Sequence, residues 1–158
     1  MEQIELRPAA PDQKPVIANL IQLYLYDMTE FMPFPVGADG HFEYGFLDRF
    51  WRYPYLIMSG DEIAGFALVI DECPLTGTSP CWFMAEFFVM RAYRQRGVGR
   101  EAVRLAISRH PGQWHLGVPH ANRAALAFWS NALKAQGPTV SDLQHDGDHW
   151  RLHTFQVP

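Results

Sequence analysis

The sequence lacks long apolar runs, a signal peptide and an excess of positive charge. No apolar stretch approaches the roughly 20 residues that a membrane-spanning helix needs. The first residues have neither the basic start nor the apolar core of a signal peptide, so we expect a soluble, cytoplasmic protein without membrane contacts. The formal net charge of −4 argues against nonspecific nucleic-acid binding, which depends on Lys and Arg neutralising phosphates.

Cysteine is also scarce, because the 158 residues include only Cys73 and Cys81. These two flank a turn-rich stretch, and their spacing matches neither a metal motif nor a disulfide framework. Because of this spacing we expect no metal site. Because thiols stay reduced in the cytoplasm, we also expect no functional disulfide.

What is present fits one globular domain spanning residues 1–158. Hydrophobic residues make up 48% and charged residues 19%, which is a folded rather than a disordered composition. Five of the 13 basic residues lie within fourteen positions: Arg91, Arg94, Arg96, Arg100 and Arg104. This clustering indicates a local basic site despite the negative net charge.

Hydrophobic periodicity and turn residues predict both strands and helices along the chain. Strands are expected at 3–7, 55–58, 63–70, 82–90, 114–118 and 150–157. The fourth is nearly continuous in hydrophobicity and is therefore predicted to be central. Helices are expected at 15–28 (capped by Asp12), 46–51, 97–110 and 121–135 (opened by Asn122). This order predicts an α+β or three-layer domain around one mixed sheet.

A glycine pair, Gly97 and Gly99, lies between a predicted strand and a predicted helix. Free backbone N–H groups and the helix dipole favour an anion there, and glycine lets the backbone approach it closely. The segment also satisfies a dinucleotide fingerprint, but no acid follows at the required distance, and no Gly-Lys-Ser/Thr sequence occurs for a nucleoside triphosphate. From the glycines alone, a plain turn before an amphipathic helix stays an alternative.

Two segments together resemble a known family. Residues 86–99, with Arg94, Gly97 and Gly99 in order, resemble the central strand, Gln/Arg-x-x-Gly-x-Gly/Ala loop and helix of the GNAT N-acetyltransferase superfamily. Residues 122–129 resemble the Asn-x-x-Ala-x-x-Phe-Tyr helix of the same superfamily. The resemblance implies a three-layer α/β/α fold around one mixed, mostly antiparallel sheet. It also implies an acetyl-CoA-dependent enzyme that transfers an acetyl group to a primary amine by direct attack on the thioester.

The resemblance further implies how coenzyme A would bind. Backbone N–H groups of the loop would hold the pyrophosphate, and the main chain of Val89 would pair with the pantetheine arm. Asn122 and Phe128 would line the far side of that arm. The full cofactor-binding set is Phe88, Val89, Arg94, Gln95, Arg96, Gly97, Val98, Gly99, Arg100, Asn122, Phe128 and Trp129.

Glu86 is the candidate catalytic residue. Every other side chain of the predicted strand 82–90 is apolar, so a carboxylate there is costly unless something pairs with it or water reaches it. Partial desolvation would raise its pKa toward neutrality, which suits a general base that takes a proton from an ammonium group. The alternative is a structural ion pair with a neighbouring arginine.

The chain departs from the family pattern at Trp129, where the family commonly has a tyrosine thought to protonate the departing thiolate. Indole cannot do this, because it only donates a weak N–H bond. Ser130, Tyr93 or a water could assist instead, so the general acid is left unassigned. A non-catalytic acyl-CoA-binding sensor with the same fold is therefore the alternative function.

The resemblance places the acceptor pocket at the loop after the first helix and at the segment before the last strand, here 27–44 and 141–149. Both segments are acidic and the first is aromatic: Asp27, Glu30, Phe31, Phe34, Asp39, Phe42, Glu43, Tyr44, Asp142, Asp146 and Asp148. Such a mouth would favour a cationic amine of a small molecule or peptide. We expect His145, His149 and His153 to be surface residues rather than metal ligands. Whether the chain forms a homodimer is left open.

Overall fold

The computed structural model describes residues 2–158. One seven-stranded sheet lies at its centre, with the spatial order β1-β2-β3-β4-β5-β7-β6. The strands are β1 (Ile4–Pro8), β2 (Tyr53–Ser59), β3 (Glu62–Ile70), β4 (Trp82–Val89), β5 (Gly112–Pro119), β6 (Thr139–His145) and β7 (Asp148–Val157). Neighbouring strands are antiparallel except β4 and β5, which are parallel. The predicted mixed, mostly antiparallel sheet with the 82–90 strand at its centre is confirmed.

Helices cover both faces of this sheet, as the three-layer prediction requires. They are α1 (Lys14–Met28), α2 (Leu47–Phe50), α3 (Val98–Arg109) and α4 (Arg123–Ala132). The buried side of α1 packs with Leu56 and Phe66, and α2 joins it there; we call this side the α1 face. The buried sides of α3 and α4 pack with Trp114 and Leu116 on the α3–α4 face. No helix within residues 2–158 is long and apolar enough to cross a membrane.

A β-bulge in β4 decides which face Glu86 occupies. The register with β3 shifts so that Glu86 lies opposite Leu68 while Met84 lies opposite Val69. Ala85 is thus the extra residue on β4, and two consecutive side chains can turn to the same face at such a point. Glu86 consequently lies on the α1 face of the sheet.

Two segments differ from the sequence-based prediction. Residues 141–145, expected in the second acceptor segment, belong to the edge strand β6, which pairs with β7 along its length. The side chains of β6 are mostly exposed, so the strand lacks the apolar alternation that would have revealed it. Asp12 does not cap the first helix, because it lies within a 3₁₀ turn (Pro11–Gln13) and α1 begins only at Lys14.

The expectation that the cysteines stay unpaired is wrong. Cys73 and Cys81 form a disulfide with a Cα–Cα distance of 5.9 Å, and both are buried. Antiparallel pairing of β3 with β4 brings the two ends of the connecting loop together. A turn, closed by Gly77 N donating to Cys73 O at 2.8 Å, completes the approach. The redox state of a compartment does not indicate which cysteines a fold brings together.

The expectation of three surface histidines is also wrong in one case. His149 is exposed, but His153 on β7 is only 2% exposed. Neither of its ring nitrogens has a hydrogen-bond partner among residues 2–158. Burial lowers the pKa of His153, which keeps the ring neutral at neutral pH.

Candidate active site

The candidate site is organised around the place where β4 and β5 diverge. The two parallel strands pair only at Trp82 with Trp114 and at Phe83 with His115. From there to Val89, this edge of β4 has no strand partner in the part of the chain that the structure describes. An open strand edge offers main-chain donors and acceptors to an extended ligand.

The main chain of Val89 points toward that open edge. Met90 N donates to Ala64 O of β3 at 2.8 Å, and main-chain groups alternate in direction along a strand. The Val89 N–H and carbonyl therefore point away from β3. Arg94 Nε already donates to the Val89 carbonyl at 2.8 Å.

The loop after β4 enters α3 through two residues with left-handed backbone. Gln95 has a φ of 60° and Gly97 a φ of 79°. Glycine adopts this conformation freely, whereas Gln95 is strained. Glu101 N donates to Gly97 O at 3.1 Å, which starts the helical ladder. The N–H groups of Val98 and Gly99 precede that bond, so they lack helical acceptors and lie at the positive end of the helix dipole.

The three arginines of this loop have different surroundings. Arg96 and Arg100 are exposed and form no salt bridge with any residue in 2–158. Arg94, also predicted to bind the cofactor, instead donates to Asp27 Oδ2 at 2.7 Å. Its guanidinium lies 5.7 Å from the centre of the Phe88 ring, on the α1 face. Only the backbone of Arg94, and not its side chain, thus belongs to the loop between β4 and α3 that could bind an anion.

Asp27 on α1 holds two of the clustered arginines. It accepts from Arg91 at 2.8 Å as well as from Arg94. Burial raises the pKa of Asp27, but the hydrogen bonds and charges of Arg94 and Arg91 outweigh it and leave that pKa below its usual value. Asp27 is therefore ionised and compensated within the protein, and contributes little negative charge to an acceptor mouth.

Gly99 brings the two family-like segments into contact. A Cβ at this position would lie 3.0 Å from Cε1 of Phe128 and 3.5 Å from Cγ2 of Val89. The absence of a side chain at Gly99 thus makes room for the α4 aromatic ring, a role that sequence reasoning had assigned to close approach of an anion. Phe128 also stacks on Phe87 of β4, with ring centres 5.8 Å apart.

Two other α4 residues of the predicted cofactor set have structural partners. Asn122 begins the helix as predicted, with its Oδ1 accepting from Ala125 N at 3.0 Å. Trp129 is buried and packs edge-on against Phe87, with ring centres 5.0 Å apart. The indole therefore belongs to the core of the α3–α4 face. Phe88 is likewise buried, in the core of the α1 face.

Glu86 is surrounded by aromatic residues rather than by arginines. Its residue is partly accessible to solvent. Tyr24 Oη donates to Glu86 Oε1 at 3.2 Å. Burial raises the pKa of Glu86 from 4.5 to about 7, against the lowering effect of the Tyr44 and Tyr24 hydroxyls. No salt bridge to Glu86 occurs among the described residues, so the structure contradicts the ion-pair alternative.

Tyr44 closes the surroundings of Glu86 from the loop after α1. Its hydroxyl is buried and approaches the carboxylate without the geometry of a hydrogen bond. The loop is fastened to α1 by Gln22, which accepts from Phe42 N at 2.8 Å and donates to Phe42 O at 2.9 Å. Tyr44 also lines a pocket of about 100 Å³ beside α1. Sequence analysis placed Tyr44 in the acceptor segment but missed Tyr24 and Gln22, which looked like ordinary helix residues.

One candidate for the general acid is engaged elsewhere. The hydroxyl of Tyr93 donates to the Glu62 carboxylate in a short hydrogen bond. That bond and burial raise the pKa of Tyr93. Tyr93 is therefore held at the start of β3. Ser130, which is exposed on α4, or a water is left as the candidate general acid.

Sequence comparison decides the family. The model of the Acetyltransferase (GNAT) family matches residues 21–133, which is more than half of the chain. The chain belongs to the GNAT acetyltransferase family. No curated protein matches the acetyltransferase significantly in sequence.

The fold of this acetyltransferase is shared by solved structures of low sequence identity. One is an acetyltransferase from Thermus thermophilus, with 17% identity and a TM-score of 0.65, covering 99% of this chain and 100% of that one. A GNAT-family acetyltransferase from Listeria monocytogenes has 14% identity and a TM-score of 0.67, with 98% and 95% covered. The protein yncA from Salmonella typhimurium, solved with its cofactor acetyl-CoA, has 14% identity and a TM-score of 0.65, with 99% and 95% covered.

The second predicted acceptor segment of the acetyltransferase also differs from expectation. It consists of β6 and the turn to β7 rather than a loop. Asp142 on β6 lies 2.8 Å from His120 and 3.7 Å from Arg151. Its charge, like that of Asp27, is compensated by neighbouring groups. Of the acidic residues that sequence analysis grouped near the acceptor, these two therefore attract a cation least.

Proposed function

We propose that this acetyltransferase moves an acetyl group from acetyl-CoA to a primary amine, with Glu86 as the general base. The observation that carries this proposal is a carboxylate without a cationic partner, whose pKa of about 7 matches the pH at which a base must work. It lies on the central strand, beside the edge that β5 leaves open.

The residues present fit acetyl-CoA. The first N–H groups of α3 and the exposed Arg96 and Arg100 suit a pyrophosphate, which favours backbone donors and guanidinium groups together. The outward-pointing main chain of Val89 suits an extended arm with amide groups. When bound, acetyl-CoA supplies an acetyl group activated as a thioester.

Glu86 would prepare the acceptor. An amine with a lysine-like pKa of ~10 is an ammonium at neutral pH and must lose a proton before its nitrogen can attack. The ionised Glu86 carboxylate accepts that proton, directly or through a water, because the residue is partly accessible to solvent. The hydrogen bond from Tyr24 fixes the orientation of Oε1 and favours the ionised form. The acceptor is an amine of a small molecule or of a peptide.

A second candidate function is a sensor that binds acyl-CoA without turnover. Two observations favour it: Trp129 is buried in the core, and the Tyr93 hydroxyl is engaged by Glu62. Neither side chain can then protonate a departing thiolate. A thiol with a pKa near ~8.5 leaves tolerably without an acid, which is why transfer remains the first candidate.

Two measurements test the proposal. Calorimetric titration with acetyl-CoA measures binding by the wild type, by Glu86→Gln and by Glu5→Gln, an exposed control on β1. A thiol-release assay with polyamines, aminoglycosides, lysine peptides and peptide α-amines measures turnover by the same three proteins. We expect Glu86→Gln to lose about 10²- to 10⁴-fold in kcat/KM with unchanged acetyl-CoA affinity, and Glu5→Gln to lose nothing.

Each contrary result has a defined meaning. Acetyl-CoA binding without thiol release for any amine favours the sensor. Full turnover by Glu86→Gln across the pH range rejects Glu86 as the base. Absence of acetyl-CoA binding rejects both functions.

A further inference from the structure

A cluster of three ligand-type side chains lies outside the site described above. One sulfur of each of Cys73 and Cys81 and one ring nitrogen of His115 all lie within 4.8 Å of one another. Their residues are 2%, 4% and 5% exposed, respectively. Two sulfurs and an imidazole nitrogen, all from buried residues, thus lie close together at one end of the β3–β4 loop.

The fold holds these groups together through main-chain pairing. Cys73 and Cys81 stand at the two ends of the loop between β3 and β4, and His115 lies on β5 opposite Phe83. That pair is one of only two that join β4 to β5. The cluster therefore lies where the open edge of β4 begins.

The ring of His115 is oriented by the same loop. Its Nδ1 lies 3.3 Å from Oγ1 of Thr76. A hydrogen bond from a neighbouring group also orients the ring of many metal-binding histidines.

Two thiolates and an imidazole form a ligand set that suits Zn²⁺. We propose that Cys73, Cys81 and His115 bind one Zn²⁺ ion when the two cysteines are reduced, with the disulfide as the closed form of the same site. Opening requires a reductant such as a phosphine, which supplies two electrons and is oxidised to the phosphine oxide, while one water supplies its oxygen and the two protons of the resulting thiols. Zinc binding then releases both thiol protons, and a water completes the four-coordinate shell.

A bound zinc ion would have a structural effect that does not depend on acetyl transfer. A zinc ion on these ligands would tie the β3–β4 loop to β5 at the root of the open edge. Leu75 of that loop already covers Gly117 of β5, where a Cβ would collide with it. The reduced protein should therefore unfold at a higher temperature with zinc than without it.

Cobalt titration tests the site directly, because Co²⁺ bound by thiolates gives a charge-transfer band and visible bands of tetrahedral geometry. The full chain is reduced with a phosphine, freed of the reductant under nitrogen and titrated with Co²⁺. We expect saturation at one equivalent, displacement of the bands by Zn²⁺ and no bands in the oxidised protein. Counting thiols after denaturation confirms the redox state of each sample.

Variants assign the ligands. Cys81→Ser and His115→Asn should each weaken Co²⁺ binding at least tenfold, whereas His149→Asn, at an exposed position, should bind like the wild type. His115→Asn keeps the loop cysteines, so it stays informative if Cys81→Ser does not fold. Circular dichroism checks the fold of each protein.

Three results would overturn the site. The first is a reduced wild type without thiolate-to-cobalt bands. The second is a His115→Asn variant that binds as tightly as the wild type. The third is a disulfide that resists reduction while the protein stays folded, since the site could then never open.

Discussion

On the α3–α4 face of β4, Phe87 meets Phe128 and Trp129 in an apolar layer, and the helix start beyond it is built from glycine and backbone. On the α1 face of the same strand, Glu86 lies beside the hydroxyl groups of Tyr24 and Tyr44. The strand β4 thus presents apolar side chains to the α3–α4 face and a titratable carboxyl group to the α1 face.

The two faces of β4 therefore differ in the interactions that hold their groups in place. On the α3–α4 face, the contacts among Phe87, Gly99, Phe128 and Trp129 join residues that are close together in sequence and fit by shape. On the α1 face, the surroundings of Glu86 come from α1, the loop after it and β4, and these groups interact through charge and hydrogen bonding. Substitutions on the first face should therefore change packing and cofactor affinity, whereas those on the second should change pH dependence.

The largest expected effect is the pH dependence of stability that Glu86 imposes. Its pKa is about 7 in the folded chain against 4.5 when unfolded, so the folded state binds more protons between those values. The stability from this group is fully present below about pH 4.5 and is lost as the pH rises through about 7. The loss is on the order of 3 kcal/mol at most.

Denaturant unfolding of the wild type and of Glu86→Gln, measured from pH 4 to pH 8, checks this prediction. Glutamine does not titrate, so the variant should gain stability relative to the wild type as the pH rises. A constant difference across that range would contradict the assigned pKa. Glu5→Gln serves as the exposed control.

The next largest effect should follow from filling the space at Gly99. Gly99→Val puts methyl groups where the Phe128 ring lies, and overpacking of this kind costs about 1–3 kcal/mol. Displacement of α4 should also weaken acetyl-CoA binding at least tenfold. Thermal unfolding and calorimetric titration measure the two effects.

Gly97→Ala is the matched comparison for that variant. No atom lies within 4 Å of a Cβ at Gly97, but its φ of 79° strains any other residue by about 1–2 kcal/mol. This variant should lose stability through the backbone while the tryptophan fluorescence, to which the buried Trp129 contributes, stays unchanged. If both variants alter that fluorescence equally, the packing role of Gly99 is wrong.

The sequence predicted the α3–α4 face better than the α1 face, for a physical reason. Glycines before a helix and an Asn cap are local signals, and the structure has Gly97 and Asn122 in those positions. A buried carboxylate among apolar residues also identified Glu86. Its partner Tyr24 is 62 residues away, and one tyrosine on a helix carries no signal of what it faces.

Other features depend on pairing between distant segments. The β6 strand is mostly exposed and has no apolar pattern, so only its pairing with β7 defines it. The neighbourhood of Cys73, Cys81 and His115 depends on β3, β4 and β5 meeting in one sheet. Neither spacing nor composition contains that information.

A smaller effect should come from Asp27, which links the two faces through Arg94. Asp27→Asn removes two ion pairs that are partly exposed, which costs about 1 kcal/mol. Because the pKa of Asp27 is lowered, its contribution is present above the unfolded value of 3.8 and is lost as the pH falls through the lower folded value. Denaturant unfolding at neutral and strongly acidic pH should show the difference at neutral pH only. An equal difference at both would mean a packing effect.

The smallest expected effect tests the difference between the two faces most directly, because the substitution changes one hydrogen bond and no charge. Tyr24→Phe removes the hydroxyl that donates to Glu86 Oε1 and lowers its pKa, so the pKa of Glu86 should rise. The pH midpoint of kcat/KM should then move upward, with a few-fold loss at pH 7 and recovery at higher pH. Tyr26→Phe, at an exposed position on the same helix, should leave the profile unchanged. A uniform loss at every pH would instead make Tyr24 a packing residue, and the α1 face would then act by shape like the opposite face.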